Sequence, residues 1–266
     1  MPREFFARPS VPVAPDLLGC VLEHQTEAGL VAVELTEVEA YAGASDPASH
    51  AYRGKTARNA VMFGPPGHAY VYFTYGMYFC VNLVCLGNGS ASAVLLRAGR
   101  IIEGEELARA RRTGRQREVQ AARGGRGDGQ SPRAGGPSPR KKTVISFRDL
   151  ARGPARLCQA LDIDRSLDGS DVCVPDSPLR MRWPDASTTA RSEAVLARGD
   201  DPAELSAHGG IHPPVPPRPP RGKILSGPRV GISAAAEVPW RFWIEGEPTV
   251  SVYRPAVRRR RKLVTP

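Results

Sequence analysis

The sequence predicts an α+β domain on three observations. Segments rich in β-branched and aromatic residues alternate with period two and are joined by short turns. Two further segments carry the chemistry of helix starts. Across 266 residues, 41% apolar and 24% charged composition supplies enough apolar surface for a core. Strands paired mainly through hairpins, with helices packed around them, define the α+β class. A single folded domain over 1–266 is expected, interrupted by two long irregular excursions.

The first strand is expected over Leu30–Glu39, whose alternation places Glu37, Glu39 and Tyr41 on one face. Tyr70–Thr74 and Tyr78–Leu86 are the next two. Tyr75-Gly76-Met77 lies between them, with Gly76 suited to a tight turn and Tyr75 at the hairpin tip. Ala93–Arg97 is a fourth strand. Ile101–Arg112 reads as a helix with Glu103, Glu105 and Glu106 early and arginines late, complementing the helix dipole. Gly153-Pro154 opens a second helix through Leu161, proline suiting a first turn. Short strands are expected at Val230–Ile232, Trp240–Ile244 and Val250–Tyr253.

The net charge of +10 is unevenly spread. Arg109–Lys142 holds eleven Lys/Arg against Glu118 and Asp128, a net of +9, and six more basic residues follow from Arg254 to the end. The remainder is acidic by five charges. A basic stretch rich in Gly, Pro and Ser cannot bury enough apolar surface to fold alone, so about 113–142 is expected to be a disordered insertion. It is either a solvated spectator or an electrostatic tether for a polyanion. A second disordered insertion is expected at about 185–222, where six prolines among Pro213–Pro220 favour polyproline II. His208 and His212 in it read as solvated residues rather than a ligand pair. The segment 254–266 is a basic tail.

No apolar run reaches the roughly 18–20 residues of a membrane helix. The start, Met1-Pro2-Arg3-Glu4-Phe5-Phe6, does not look like a secretory signal, which favours a cytoplasmic setting (nucleoid-associated in a bacterium). The five cysteines include no C-x-x-C pair and read as small buried hydrophobes. No metal or cofactor is expected.

Six of the seven tyrosines fall between Tyr41 and Tyr78. They lie beside Glu37 and Glu39 and are bracketed by His50, Arg58, Asn59, Asn82 and Arg97. An aromatic lining with a few polar groups suits a flat heterocycle, since each base stack contributes about 1–3 kcal/mol. A nearby carboxylate can orient water or stabilise a developing cation. A projecting aromatic can fill the gap left when a base leaves its helix. The composite suggests base excision, with the choice between Glu37 and Glu39 open.

The words in this region resemble a known family. Glu37-Val38-Glu39-Ala40-Tyr41, Asp46 to His50, and Arg58-Asn59-x-x-Met62-Phe63 form a first block. Tyr70-Val71-Tyr72-x-x-Tyr75-Gly76-Met77-Tyr78-Phe79-Cys80-Val81-Asn82 and Val94-Leu95-Leu96-Arg97-Ala98 follow. Leu17-Leu18-Gly19, Gly153-Pro154-x-x-Leu157-Cys158-Gln159-Ala160-Leu161 and Arg229-Val230-Gly231-Ile232 extend the match. Together these resemble the alkyladenine (3-methyladenine) DNA glycosylase family of the mammalian type.

The resemblance implies a curved, mostly antiparallel sheet surrounded by helices, acting on double-stranded DNA that contains alkylated or deaminated purines. A monomer is the simpler expectation. Glu39 matches the general base that activates the attacking water. Tyr75 matches the wedge that replaces the flipped nucleotide. Tyr41, His50 and Tyr72 match the walls around the extruded base, the His50 amide adding selectivity. Asn82 matches the asparagine that disfavours guanine by crowding its exocyclic amine. Arg97 matches an arginine near the water and the flipped nucleotide's phosphate. Glu37, Tyr70 and Tyr78 read as structural, His68 as a turn residue, and Arg58 as either structural or phosphate-facing.

Only five lysines occur, and no family motif places one in the pocket, which predicts a monofunctional enzyme using water rather than an amine nucleophile. The alternatives are a non-catalytic module that binds damaged DNA and a one-carbon transfer enzyme of similar fold, since fold alone does not set function. The insertions are longer than the family pattern, and the chain is expanded around Leu86–Ser92.

Overall fold

A computed structural model of the chain describes residues 1–74, 76–87, 89–124, 144–186, 188, 191 and 222–256, without side chains for 115–124. Tyr75, most of the proline-rich excursion with His208 and His212, and the tail from 257 lie outside the described residues.

The sheet is organised by one long strand. From Val31 to Ala40 every residue is buried, so both faces are covered. In chain order the strands are β1 (Val21–Thr26), β2 (Gly29–Tyr41), β3 (Ala69–Thr74), β4 (Tyr78–Cys85), β5 (Ser92–Glu103), β6 (Leu179–Arg182), β7 (Ile224–Gly227) and β8 (Arg241–Ile244). They pair antiparallel in the order β3-β4-β5-β2-β1-β6, and β8 pairs with both β2 and β7. The helices are α1 (Arg3–Phe6), α2 (Ser10–Asp16), α3 (Glu105–Gly124) and α4 (Pro154–Leu161). Val13, Ala14 and Leu17 from the α2 region and Leu157, Ala160 and Leu161 of α4 join Val33, Leu35, Val81, Leu83 and Leu96 in one core.

β2 changes partner halfway. Residues Gly29–Glu34 pair with β1, whereas Glu37–Glu39 pair with β8, and β5 runs along the other edge. At the changeover the β2–β5 register slips twice, so that Thr36 on one strand and Arg97 on the other have no ladder partner. Bulges of this kind re-aim side chains and occur beside active sites. Here they fall where Glu37, Glu39 and Arg97 converge.

Several elements depart from the sequence pattern. The fourth strand continues past Arg97 to Glu103, because Ile101 and Glu103 pair with Val33 and Ala32 and Ile101 and Ile102 are buried. The helix expected from Ile101 therefore begins at Glu105. The break falls at Gly104, with φ +75° and backbone too close to Leu30 O for any Cβ. That helix then runs to Gly124, through the first part of the expected 113–142 insertion. Ala108 is in the core and Arg111 bonds Thr26 Oγ1 at 2.8 Å, so its first turns are anchored. Residues 125–143 lie outside the described residues.

Val230–Ile232 is a turn rather than a strand, and Val250–Tyr253 has no ladder. Val230 and Ser251 instead direct their N–H groups to buried carboxylates, described below. His68 is not a simple turn residue, because it bridges to Asp171 and contacts Arg3. The described cysteines are free thiols, with Cys20, Cys80, Cys85 and Cys158 buried. Among the described residues no helix is long and apolar enough to cross a membrane.

Candidate active site

Glu39 is fully buried, and its carboxylate is held on both oxygens. Tyr41 Oη donates to Oε2 at 2.8 Å, and Val230 N donates to Oε1 at 2.7 Å. Arg97 approaches Oε1 at 3.2 Å. A carboxylate has about four lone-pair sites, so acceptor capacity remains for a water.

Glu37 is equally buried but serves a different set of donors. Its Oε1 accepts from Arg97 Nε and Arg241 Nε, both at 2.7 Å, and from Ser251 Oγ at 2.9 Å. Its Oε2 accepts from Ser251 N at 2.7 Å. Burial alone raises the Glu37 carboxyl. The charges of Arg97 and Arg241 and the Ser251 N–H outweigh that and hold it below the usual carboxylate range. Arg97 is held the opposite way: burial pulls its guanidinium down, and Glu39 and Glu37 more than restore it. The four side chains Glu37, Glu39, Arg97 and Arg241 thus form a buried cluster of two anions and two cations.

The aromatic walls come from β2, β3 and the loop after β2. The His50 and Tyr72 rings meet edge-on with centroids 4.6 Å apart, and Tyr70 stacks on Tyr72 at 5.4 Å. Tyr70 Oη lies 3.2 Å from His50 Nδ1. Tyr70 is thus a packing residue that also orients the histidine. Burial, with Arg58 nearby, lowers the His50 imidazole below its ordinary value and leaves it neutral at neutral pH. Burial also raises the Tyr41 and Tyr72 phenols, Tyr41 further through Glu39, so both remain protonated. Arg58 donates to Phe73 O at 3.0 Å and so ties the loop to β3. Asn59 Nδ2 bonds the His50 and Gly54 carbonyls at 2.9 and 3.1 Å, shaping the loop that carries the histidine.

These elements enclose one cavity of about 310 Å³. Glu39, Tyr41, His50, Tyr72, Asn82 and Arg97 all line it, together with Met62, Thr74 and the Val230–Ile232 turn. Cys85 pairs with Ser92 and Asn82 with Leu95 across the β4–β5 ladder, so the expansion around Leu86–Ser92 is confined to the connection, and Arg97 lies two residues past the last of these pairs, at the β2–β5 bulge. Asn82 Oδ1 is buried without a hydrogen-bond partner. Glu37 does not line the cavity; it stands behind Arg97. Tyr75 lies outside the described residues, but the hairpin around it is closed by Thr74 paired with Tyr78, and Gly76 has φ +67°. Sequence reasoning assigned no role to Asp46, Arg229, Val230, Arg241 or Ser251. Asp46 and Arg229-Val230 stood within recognisable words, whereas Arg241 and Ser251 carried no local signal.

A curved antiparallel sheet thus presents a buried carboxylate to an aromatic-walled cavity within a single α+β domain. The family model for methylpurine-DNA glycosylase (MPG) matches residues 4–248. A Streptomyces avermitilis protein named "Putative 3-methyladenine DNA glycosylase" is 47% identical over 98% of this chain and 94% of its own length. Proteins of the same name from Frankia casuarinae and Methanocella arvoryzae are 42% and 38% identical, covering 97% and 96% of this chain and 94% and 97% of their own. The chain belongs to the methylpurine-DNA glycosylase family and is a DNA glycosylase, a hydrolase of N-glycosyl bonds.

Proposed function

We propose that the chain is a monofunctional glycosylase that flips alkylated or damaged purines, 3-methyladenine among them, from duplex DNA into this cavity and begins base excision repair. The observation that carries the reading is Glu39, buried at the cavity wall and held by Tyr41, Val230 and Arg97. In the proposed step the bond between the sugar carbon and the purine nitrogen breaks, and its electron pair leaves with the base. A water adds to the sugar carbon and passes its proton to Glu39. The carboxylate also faces the positive charge that develops on the sugar. Alkylation at N3 or N7 makes the purine a cationic leaving group, so flipping, water and a carboxylate suffice.

His50, Tyr72 and Tyr41 form the walls against which the base stacks, Asn82 crowds the exocyclic amine of guanine, and Tyr75 fills the vacated place in the duplex. Among the described residues no lysine lines the cavity, which supports water over an amine nucleophile. The chain acts as a monomer, in contact with chromosomal DNA. The test is incubation with methylated duplex DNA. Free 3-methyladenine with an intact strand bearing abasic sites is expected, and borohydride should trap no covalent complex. Tight lesion binding without base release would instead make the protein a damage-recognition module.

A further inference from the structure

Arg229 lies outside the cavity lining yet is fully buried, and its guanidinium holds three parts of the site together. Nη1 and Nη2 grip the Asp46 carboxylate at 2.5 and 2.9 Å, and Nη1 also donates to Ala40 O at 3.0 Å. The same group lies over the Tyr41 ring, 4.7 Å from its centroid, and over Trp240 at 5.2 Å. Asp46 in turn accepts from Ala42 N at 3.2 Å and Ala48 N at 3.0 Å, and so folds the loop that leads to His50.

The consequence falls on Glu39. Its two uncharged donors are the Tyr41 hydroxyl and the Val230 N–H. Arg229 packs on the ring of the first and is the residue immediately before the second. Val230 sits in a turn without ladder bonds, and besides its own bond to Glu39 that turn is held by the Arg229 anchor and by the Gly231 N to Arg254 O bond at 2.9 Å. We propose that Arg229, paired with Asp46, is a positioning residue for hydrolysis: it sets the direction of both donors to Glu39 without touching the substrate. A bidentate, stacked guanidinium suits this role, and an ammonium cannot reproduce its fork.

The inference rests on the glycosylase reading above. Its test compares Arg229→Lys and the double variant Arg229→Gln/Asp46→Asn, which removes both buried charges at similar volume, with the wild type. Thermal unfolding checks the fold, the dissociation constant for lesion duplex reports binding, and the single-turnover rate of base release reports chemistry. Small misplacement of a catalytic group costs up to about 100-fold in rate, so a loss of about 10–100-fold is expected with affinity changed less than about twofold. A full single-turnover rate in either folded variant overturns the inference, as does a loss of affinity that matches the loss of rate. An inactive wild-type chain overturns both readings, whereas an active wild type with an active folded variant overturns this one alone.

Discussion

The substitution Glu37→Gln tests the buried charge cluster. The carboxylate accepts from two guanidinium groups, a backbone N–H and a hydroxyl, all within 2.9 Å. A glutamine keeps the shape, but its NH2 must face one of these donors, and Glu39 is then the sole carboxylate left in the cluster for both Arg97 and Arg241. Breaking a buried ion pair from one side costs about 3–5 kcal/mol. At about 2–4 °C per kcal/mol for a domain of this size, the melting temperature should fall by about 6–20 °C. The pH dependence carries the same signature. The Glu37 carboxyl is depressed in the folded state against an unfolded value of about 4.3, so its stabilisation is present above that pH and is lost as pH falls through the lower folded value. The wild type should therefore lose stability more steeply than Glu37→Gln below about pH 4.3. Calorimetry at pH 7 and thermal melts from pH 3 to 6 measure both. A melting temperature within about 2 °C of wild type, with an unchanged acid slope, would show that the Glu37 charge does not stabilise the cluster.

Three further predictions concern DNA. Tyr75→Ala should spare duplex binding and weaken the response of a fluorescent reporter base beside the lesion; a normal flipping signal removes the wedge assignment. Asn82→Ala should raise release of unmodified guanine relative to 3-methyladenine, measured as free bases by chromatography, and an unchanged ratio would show that Asn82 does not exclude guanine. Deleting residues 125–142, which hold five Lys/Arg and one Asp, should weaken binding equally on all sequences and flatten its salt dependence, by a slope change of up to about 4. A slope identical to that of the intact chain would make the segment a spectator.

Local pattern revealed the part of the fold that local chemistry determines. The alternation over Leu30–Glu39 and the glycine turn between Tyr72 and Tyr78 correspond to β2 and the β3–β4 hairpin. The end of β5 was hidden because Ile101 and Ile102 suit either a strand or an apolar helix face, and only pairing with Ala32–Val33 decides between them. β1 was hidden by Glu23, His24 and Gln25, whose polarity is tolerated because Arg182 pairs with Glu23 and His24 bonds Leu161 O at 2.6 Å. The cavity-lining residues Glu39, Tyr41, His50, Tyr72, Asn82 and Arg97 were legible because they crowd into one stretch of the chain. The supporting donors were not, because Val230, Arg241 and Ser251 reach Glu37 and Glu39 from more than 190 residues away.

In the proposed reaction Glu39 activates the water that attacks the sugar carbon and frees the base. Free-base release from methylated duplex DNA, compared between the wild type and Glu39→Gln at equal lesion binding, tests it most directly. Release by the wild type, with loss of at least about 100-fold in the variant, is the predicted result. A folded Glu39→Gln protein that releases base at the wild-type rate would contradict it.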